Sequence, residues 1–309
     1  MYSPFLAQSI PTVALGVYDP QGDFGEENIL IEHHFVPWRL NDTQELKTAL
    51  ESAKQRDRLP LISLEPWPWE WNEMVGETLF TDILTGKYDP TLKQIFKLFR
   101  EENSQKILLR WGHEMEIIGQ YPWSSANPRD YIAAYQYIVD LSRSQGVNNL
   151  LWVWSPAGNQ NAKYYWPGAD YVDFIGISIY ATKHWNKSWN GQEMASFQHL
   201  MRQKYGLANH FNKPLIVAEV GVAGDAIAKT KWLKQAMMAI VNFPRLKAWV
   251  YFNQVQPDIV PLSIGQPHWE LERSQVKQLV KTWQNVNQNR LSSENIQEFL
   301  ETAARESIN

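Results

Sequence analysis

Eight short runs of apolar, β-branched and aromatic residues divide this chain, and segments with helical signals separate them. Runs of this length and composition are typical of parallel strands buried on both faces. Strands that alternate with helices predict a parallel sheet, and eight such units in a 309-residue α/β chain predict a single (β/α)8 TIM barrel. The predicted strands are 13–19, 29–38, 59–67, 106–114, 150–156, 172–180, 214–221 and 246–253.

Helix start and stop signals occupy the segments between these runs. Asp42 and Thr43 can cap one helix, and Asn127-Pro128 places a proline in the first turn of another. The alternative fold is an open doubly wound sheet, but the chain has no G-x-G-x-x-G after its first strand or elsewhere. The predicted helices are 42–56, 92–101, 127–145, 193–205, 227–241 and 274–286.

The chain contains no linker or repeat that would split it into several domains. We therefore expect one catalytic barrel over residues 1–287 and a C-terminal amphipathic helical tail over 288–309. In the tail, Ile296, Phe299 and Leu300 lie at helical spacing. The simpler interpretation packs this helix on the outside of the barrel, and the alternative makes it a segment that binds a partner.

Charge and composition exclude several classes of partner. The chain has 29 basic and 33 acidic residues, and a net charge of −4 disfavours nucleic acid and anionic membrane surfaces. No apolar run approaches the roughly 20 residues of a membrane span, and no signal peptide precedes the first strand, which leaves the localisation open. The absence of cysteine excludes disulfides and thiolate chemistry. We expect a monomer.

Two glutamates stand at the carboxyl ends of predicted strands, where barrel enzymes build their active sites. Glu114 ends the fourth strand and Glu219 lies in the seventh. A pair of carboxyl groups is what glycoside hydrolysis requires, one to donate a proton and one to attack the sugar or activate water. In a barrel of this size these two strand ends can approach the separation of about 5–5.5 Å that predicts retention of configuration.

Tryptophan is concentrated at the strand ends and in the loops that follow them. Indole rings stack on the C–H faces of pyranose rings, so this distribution favours a carbohydrate site. Trp67 and Trp154 are candidate stacking residues, and Glu65 is a candidate ligand for sugar hydroxyls or a partner of Arg110. The tryptophans at strand ends and in loops are Trp38, Trp67, Trp69, Trp71, Trp111, Trp123, Trp154, Trp166, Trp185 and Trp189.

Other chemistries lack their sequence signals. His33 and His34 are adjacent, so a strand would point them to opposite faces, and no H-E-x-x-H or EF-hand spacing is present. We therefore expect neither a metal nor another cofactor. The chain also has no G-x-S-x-G, which disfavours a Ser-His-Asp hydrolase.

Several motifs in order along the chain give a closer comparison. They are RWGHEM (110–115), YPW (121–123), WVWSP (152–156), YYWPGADYVDFIGISIY (164–180) and KPLIVAEVG (213–221). Together they resemble glycoside hydrolase family 26, which contains endo-β-1,4-mannanases, β-1,3-1,4-glucanases and β-1,3-xylanases. The resemblance implies a TIM barrel that cleaves internal β-linkages of a polysaccharide by retaining double displacement.

The same resemblance implies roles for individual residues. Glu114 matches the acid/base of the family and Glu219 matches its nucleophile. His113 matches the histidine that contacts the sugar in the −1 subsite, and Tyr180 matches the tyrosine that hydrogen-bonds the nucleophile. Trp123 resembles an aromatic residue that lines the cleft.

The chain departs from the family pattern at two positions. Glu116 replaces an asparagine after the acid/base, where it could raise the pKa of Glu114 or turn away into a salt bridge. Phe252 replaces a tryptophan often found in the −1 subsite. Because both positions concern substrate contacts, we include Glu116 and Phe252 among the substrate-binding candidates.

Three functions remain open at this point. The leading hypothesis is a retaining endo-β-glycanase, since a long aromatic cleft suits internal cleavage. The second is a carbohydrate-binding barrel with weak or lost turnover, and the third is a component of a polysaccharide synthesis or export assembly. Between β-mannan and β-glucan substrates, the departures at Glu116 and Phe252 slightly favour a β-glucan or a bacterial exopolysaccharide.

Overall fold

A closed barrel of eight parallel strands forms the centre of the computed structural model. Each strand pairs with the next along the chain, and the eighth pairs with the first over Ala14–Tyr18 and Ala248–Phe252. The predicted single (β/α)8 barrel is therefore confirmed. The structure describes residues 11–25, 28–38, 43–67, 78–124, 127–183, 194–255, 267–287 and 290–306.

Every predicted apolar run coincides with one strand; most runs extend beyond the strand, whereas the sixth and seventh strands each end one residue after the predicted run. The difference arises because the polar and aromatic residues that follow a strand already belong to the loop, as Trp67 and His113 do. The strands are β1 Ala14–Tyr18, β2 Ile31–Pro37, β3 Leu59–Glu65, β4 Ile107–Trp111, β5 Leu150–Trp154, β6 Phe174–Ala181, β7 Leu215–Val222 and β8 Leu246–Phe252.

The predicted helices are present with small changes of their ends. The six-residue helix α2 was not predicted, because fewer than two turns show no clear periodicity. The helix predicted from residue 193 begins at Phe197, where the Ser196 hydroxyl accepts a hydrogen bond from the His199 amide. The α-helices in the described residues are α1 Gln44–Gln55, α2 Leu79–Leu84, α3 Asp89–Glu101, α4 Pro128–Ser144, α5 Phe197–Lys204, α6 Gly206–His210, α7 Ala226–Ala239, α8 Arg273–Asn287 and α9 Ile296–Glu306.

The interior of the barrel is apolar at the bottom, near the amino ends of the strands, and polar at the top, near their carboxyl ends. Residues near the amino ends of the strands, such as Ile31, Leu61 and Leu108, form a buried apolar cluster. Nearer the carboxyl ends the interior is polar, with Ser63 and Arg110 both fully buried. The buried polar groups of the fold are thus gathered at the end where barrel enzymes bind their substrates.

Helix α9 closes the bottom of the barrel. Its apolar residues belong to the same buried cluster as the lower interior of the strands, and the Lys106 amide donates to Gln297 Oε1 at 3.1 Å. The expectation that the tail packs on the outer side of the barrel is wrong. The sequence shows the apolar stripe of the helix, but it does not show that the barrel has an open end of matching size. The buried residues of α9 are Ile296, Leu300, Ala303 and Ala304.

Truncation of Leu300 tests this closure. We expect Leu300→Ala to lower the free energy of unfolding by about 2–5 kcal/mol, because the side chain is fully buried and its loss leaves a cavity. Urea unfolding measures the change. Glu298→Ala, on the exposed face of the same helix, is the matched control and should change the stability by less than about 1 kcal/mol. Equal stability of Leu300→Ala and wild type would contradict the closure.

Within the described residues, every helix falls short of the length and apolar character needed to cross a bilayer.

Candidate active site

Arg110 occupies the centre of the polar upper barrel. Its side chain is fully buried, and its Nε donates to Ser155 Oγ at 2.8 Å while its Nη1 donates to Ser63 Oγ at 3.1 Å. The same Nη1 lies 2.6 Å from Glu219 Oε1, on the opposite side of the barrel. The guanidinium fork therefore links β3, β4 and β5 to the carboxylate on β7.

Glu219 is held by one ion pair and one hydrogen bond. Arg110 contacts one carboxylate oxygen, and the Tyr180 hydroxyl donates to Oε2. Burial and the neighbouring Glu219 hold the pKa of Tyr180 well above its usual value, so this phenol stays protonated and can donate. The Tyr180 ring reaches this position because Gly221 leaves room for it, since a Cβ there would lie 2.7 Å from the ring. Together the two contacts fix the position of the Glu219 carboxyl group.

Glu114 sits in a different environment from Glu219. Its backbone adopts a left-handed conformation (φ +54°), fixed by a 2.8 Å hydrogen bond from its amide to the Ser155 carbonyl. Ser178 Oγ donates to Glu114 Oε1 at 2.6 Å, and Gln120 Nε2 donates to Oε2 at 3.1 Å. Burial and the negative charge of Glu219 raise the pKa of Glu114 to about 7. The two glutamates thus have different partners, a cation and a phenol at Glu219 and two neutral donors at Glu114.

His113 and Glu65 lie next to this pair. Burial and the nearby Arg110 hold the pKa of His113 well below its usual value, so the imidazole is neutral. Its Nε2 is 4.0 Å from Glu65 Oε1, and Trp67 Nε1 donates to Glu65 Oε2 at 2.9 Å. Burial also raises the pKa of Glu65 to about 7. The group offers hydrogen-bonding partners of the kind that sugar hydroxyls need.

One side of the mouth is an aromatic wall. Trp123 is fully buried, with its Nε1 donating to the His113 carbonyl at 2.7 Å. Tyr121 stacks on Trp123 at 4.6 Å between ring centroids and with 4° between planes. Tyr121 is only partly buried, as is Trp67, whereas Trp123 supports them from behind. Tyr121 stood in the YPW motif, but only the structure distinguishes the exposed ring from its support.

A second aromatic group lies on the strands β8, β1 and β2. Phe252 packs against Tyr18 at 4.9 Å and against Tyr180 at 5.9 Å. Phe35 joins it, 5.7 Å from the His113 ring. Sequence reasoning missed Tyr18 and Phe35. Their signal was available, because each lies near the carboxyl end of a predicted strand.

Two predicted substrate-binding residues lie away from this cluster. Glu116 Oε1 accepts hydrogen bonds from the amides of Gly158 (2.9 Å) and Asn159 (3.2 Å), which joins the loops after β4 and β5. Trp154 is fully buried and packs its ring against Trp166 at 5.1 Å. The structure therefore gives Glu116 a role in loop geometry and Trp154 a role in packing.

Two other tryptophans at strand ends are buried like Trp154 and not partly exposed like Trp67. Trp38 stacks on Tyr88 at 4.9 Å, and Trp111 stacks on Tyr131 at 5.6 Å. Both are fully buried, so their position at strand ends reflects packing of the outer layer. Trp69, Trp71, Trp185 and Trp189 lie outside the described residues.

In the part of the chain that the structure describes, no three His, Asp or Glu side chains are grouped as a metal site would need.

Comparison with known families agrees with the motifs. The model of glycosyl hydrolase family 26 matches residues 81–242, which is more than half of the chain. The matched segment includes both the RWGHEM motif with Glu114 and the AEVG motif with Glu219.

Curated relatives share this region. Endoglucanase H of Acetivibrio thermocellus is 28% identical over 239 residues, which cover 72% of this chain and 25% of that protein. A mannan endo-1,4-beta-mannosidase of Bacillus subtilis is 30% identical over 167 residues, 48% of this chain and 41% of that protein. The beta-1,3-xylanase TXYA of a Vibrio species is 24% identical over 144 residues, 45% of this chain and 28% of that protein. The alignments thus span about a quarter to two fifths of these relatives.

Solved structures show the same fold. A family 26 beta-mannanase from Bacteroides ovatus superposes with a TM-score of 0.65 at 14% identity, covering 91% of this chain and 90% of that one. The resemblance inferred from the motifs is confirmed by the family match, and the chain belongs to glycosyl hydrolase family 26.

Proposed function

We propose that this protein is an endo-acting, retaining glycoside hydrolase of a β-linked polysaccharide. The observation that carries the proposal is a pair of carboxyl groups with different partners in one buried site. Glu219 is contacted by the Arg110 guanidinium and accepts a hydrogen bond from the Tyr180 hydroxyl. Glu114 accepts hydrogen bonds from Ser178 and Gln120, and burial raises its pKa to about 7. In a retaining glycosidase one carboxyl group is the acid/base and the other is the nucleophile.

In the first step the ionised Glu219 attacks the anomeric carbon of the −1 sugar. The glycosidic C–O bond breaks as Glu114 donates its proton to the leaving oxygen, which gives a covalent glycosyl-enzyme. In the second step Glu114 removes a proton from water as that water displaces Glu219 from the anomeric carbon. The carboxylate of Glu219 and the proton on Glu114 are thereby restored, and the product keeps its β configuration.

The neighbours of the pair supply substrate contacts. We assign His113 and Glu65 to the hydroxyl groups of the −1 sugar, since both project beside the glutamates. Tyr121 and Trp67 offer partly exposed rings on which further sugars can stack. Phe252, Tyr18 and Phe35 provide the apolar side of the same subsite.

For the substrate we propose a β-glucan ahead of a β-mannan. Endoglucanase H aligns with 72% of this chain, whereas the Bacillus subtilis mannosidase aligns with 48%. Phe252 also makes the −1 subsite different from one with a tryptophan at that place. Reducing-end release from mixed-linkage β-glucan, carboxymethylcellulose, β-mannan and β-1,3-xylan tests the choice. Glucan as the best substrate supports it, and mannan as the best substrate contradicts it.

Two further measurements test the mode of action. A fall in viscosity that runs ahead of reducing-end release indicates internal cleavage, and the first product anomer seen by NMR should be β. An α anomer would exclude double displacement. We also propose that the barrel over 1–287 and the tail over 288–309 form one monomeric unit, which light scattering of the purified protein tests.

The activity should fall as the pH rises through about 7. Glu114 must carry a proton to act as the acid, and the fraction protonated drops tenfold per pH unit above its pKa of about 7. The pH profile of kcat/KM measures this basic limb. Because burial raises the pKa of Glu65 to about 7 as well, Glu65→Gln is the necessary comparison. Loss of the limb in Glu65→Gln would assign it to Glu65 and contradict the assignment to Glu114.

A further inference from the structure

A buried lysine lies behind the proposed acid/base. The Lys204 Nζ, at the end of α5, donates to the carbonyl oxygens of Ser178 (2.5 Å) and Ala157 (2.6 Å). The first carbonyl is on β6 and the second is in the loop after β5. One ammonium group therefore ties two adjacent strand ends together at the mouth of the barrel.

Ser178 connects this lysine to Glu114. Its backbone carbonyl accepts from Lys204, and its hydroxyl donates to Glu114 Oε1 at 2.6 Å. Ser178 is itself buried, and it contacts both Glu114 and Lys204. The bond to Oε1 leaves Oε2, which Gln120 contacts, as the oxygen of Glu114 that can turn toward a substrate.

The loop after β5 joins the same arrangement from the other side. The Lys204 side chain lies so close over Gly158 that a Cβ there would be 2.8 Å from Lys204 Cδ. Gly158 also has φ +96°, a conformation that favours glycine, and its amide donates to Glu116 Oε1. Lys204 thus packs on Gly158, and Gly158 is in turn hydrogen-bonded to Glu116 in the loop that carries Glu114.

We propose that Lys204 is a positioning residue for Glu114. It holds Ser178 where the serine hydroxyl fixes one oxygen of the Glu114 carboxyl, so that the other oxygen meets the leaving group. The inference rests on the proposed function of Glu114 and extends it to a residue that the family motifs do not include.

The positive charge of Lys204 also affects the pKa of Glu114. Burial lowers the pKa of Lys204, but the surrounding Glu114, Glu116 and Glu219 oppose that effect and favour the ammonium form. Other titratable and charged groups also surround Glu114. They are Arg110 on β4, Glu116 in the following loop, Glu219 on β7, Lys204 on α5, and the phenols of Tyr121 and Tyr180. A cation lowers the pKa of a neighbouring carboxyl group, so removal of Lys204 should raise that of Glu114.

Two substrates separate a positioning role from general damage. Cleavage of the polymer needs a proton from Glu114, whereas 2,4-dinitrophenolate leaves from 2,4-dinitrophenyl β-cellobioside without one (the β-mannobioside is used if mannan is the preferred polymer). We would measure kcat/KM on both substrates for wild type, Lys204→Met, Lys204→Arg, Ser178→Ala and Glu114→Gln. Arg202→Met is the matched control, because Arg202 is exposed on the same helix.

The expected result is a selective defect. Lys204→Met and Ser178→Ala should lower kcat/KM on the polymer by about 10- to 100-fold, a part of the roughly 10²–10⁴-fold contribution of a general acid. Both should stay within about threefold of wild type on the aryl glycoside. Lys204→Arg should recover part of the polymer activity, and the basic limb should move to higher pH in Lys204→Met but not in Arg202→Met.

Three outcomes would overturn the inference. They are wild-type kinetics on the polymer in Lys204→Met, an equal loss on both substrates, and an unmoved basic limb. If circular dichroism shows that Lys204→Met does not fold, Ser178→Ala decides the question by the same comparison of substrates. Unchanged polymer activity in Glu114→Gln would instead contradict the proposed function, which keeps the two failures distinct.

Discussion

Replacement of Glu219 by glutamine should abolish turnover of the polysaccharide. An amide cannot form the covalent bond to the anomeric carbon, so we expect kcat to fall by about 10⁴- to 10⁶-fold, as when other catalytic nucleophiles are removed. The fold should persist, because the amide oxygen of the new side chain can still accept a hydrogen bond from Tyr180. Reducing-end assays over long incubations measure the residual rate.

Glu114→Gln provides the complementary result. The loss on the polymer should be about 10²–10⁴-fold, and the aryl glycoside should retain most of its kcat/KM because its leaving group needs no proton. Glu298→Gln, which changes an exposed carboxylate on α9, should match wild type on both substrates. Wild-type rates in Glu219→Gln or Glu114→Gln would exclude the two-carboxylate mechanism and leave a barrel that only binds sugar as the better hypothesis.

Arg110→Met should damage both stability and catalysis. The Arg110 side chain is fully buried and contacts Glu219 at 2.6 Å, so its removal leaves a buried carboxylate without its cation. Breaking a buried pair in this way costs about 3–5 kcal/mol of unfolding free energy. The same substitution removes the cation that contacts the proposed nucleophile. We expect kcat to fall by at least about 100-fold, as when one catalytic charge-stabilising donor is removed.

Arg110→Lys separates the charge of Arg110 from the geometry of its guanidinium group. Lysine keeps the charge that pairs with Glu219 but cannot donate to Ser63 and Ser155 at the same time as the guanidinium does. Arg110→Lys should therefore recover less than half of the lost stability in urea unfolding. Arg202→Met, which removes an exposed cation, should unfold like wild type. Equal stability of Arg110→Met and wild type would contradict the role of the fork.

The sequence predicts the barrel well because its strands are buried on both sides. Continuous apolar runs such as LPLISLEPW and PLIVAEVG locate strands without any knowledge of their neighbours. The same property hides which residues face the interior. In β5, Val153 points inward while Trp152 and Trp154 pack outward, and no alternation of polarity marks the difference. Trp154 was therefore assigned to the cleft.

Residues with catalytic chemistry were easier to locate than residues that position them. Glu114 and Glu219 stand out because a carboxylate at the end of an apolar strand is unusual. Glu116 is another carboxylate near the end of the same predicted strand, but its side chain accepts hydrogen bonds from amides some 40 residues further along the chain. Lys204 lies on an amphipathic helix, and only the three-dimensional packing brings its ammonium group to the Ser178 carbonyl. Such long-range contacts leave no local signal.

The closure of the barrel has a consequence for its synthesis on the ribosome. β1 emerges early, yet one of its two neighbours, β8, is translated more than 200 residues later, and α9 follows after that. Until then one edge of the first strand and the apolar bottom of the interior have no partner from this chain. Non-local pairings of this kind slow folding and expose apolar surface meanwhile. The barrel is therefore expected to stay open, with apolar surface exposed, until β8 and α9 have both been made.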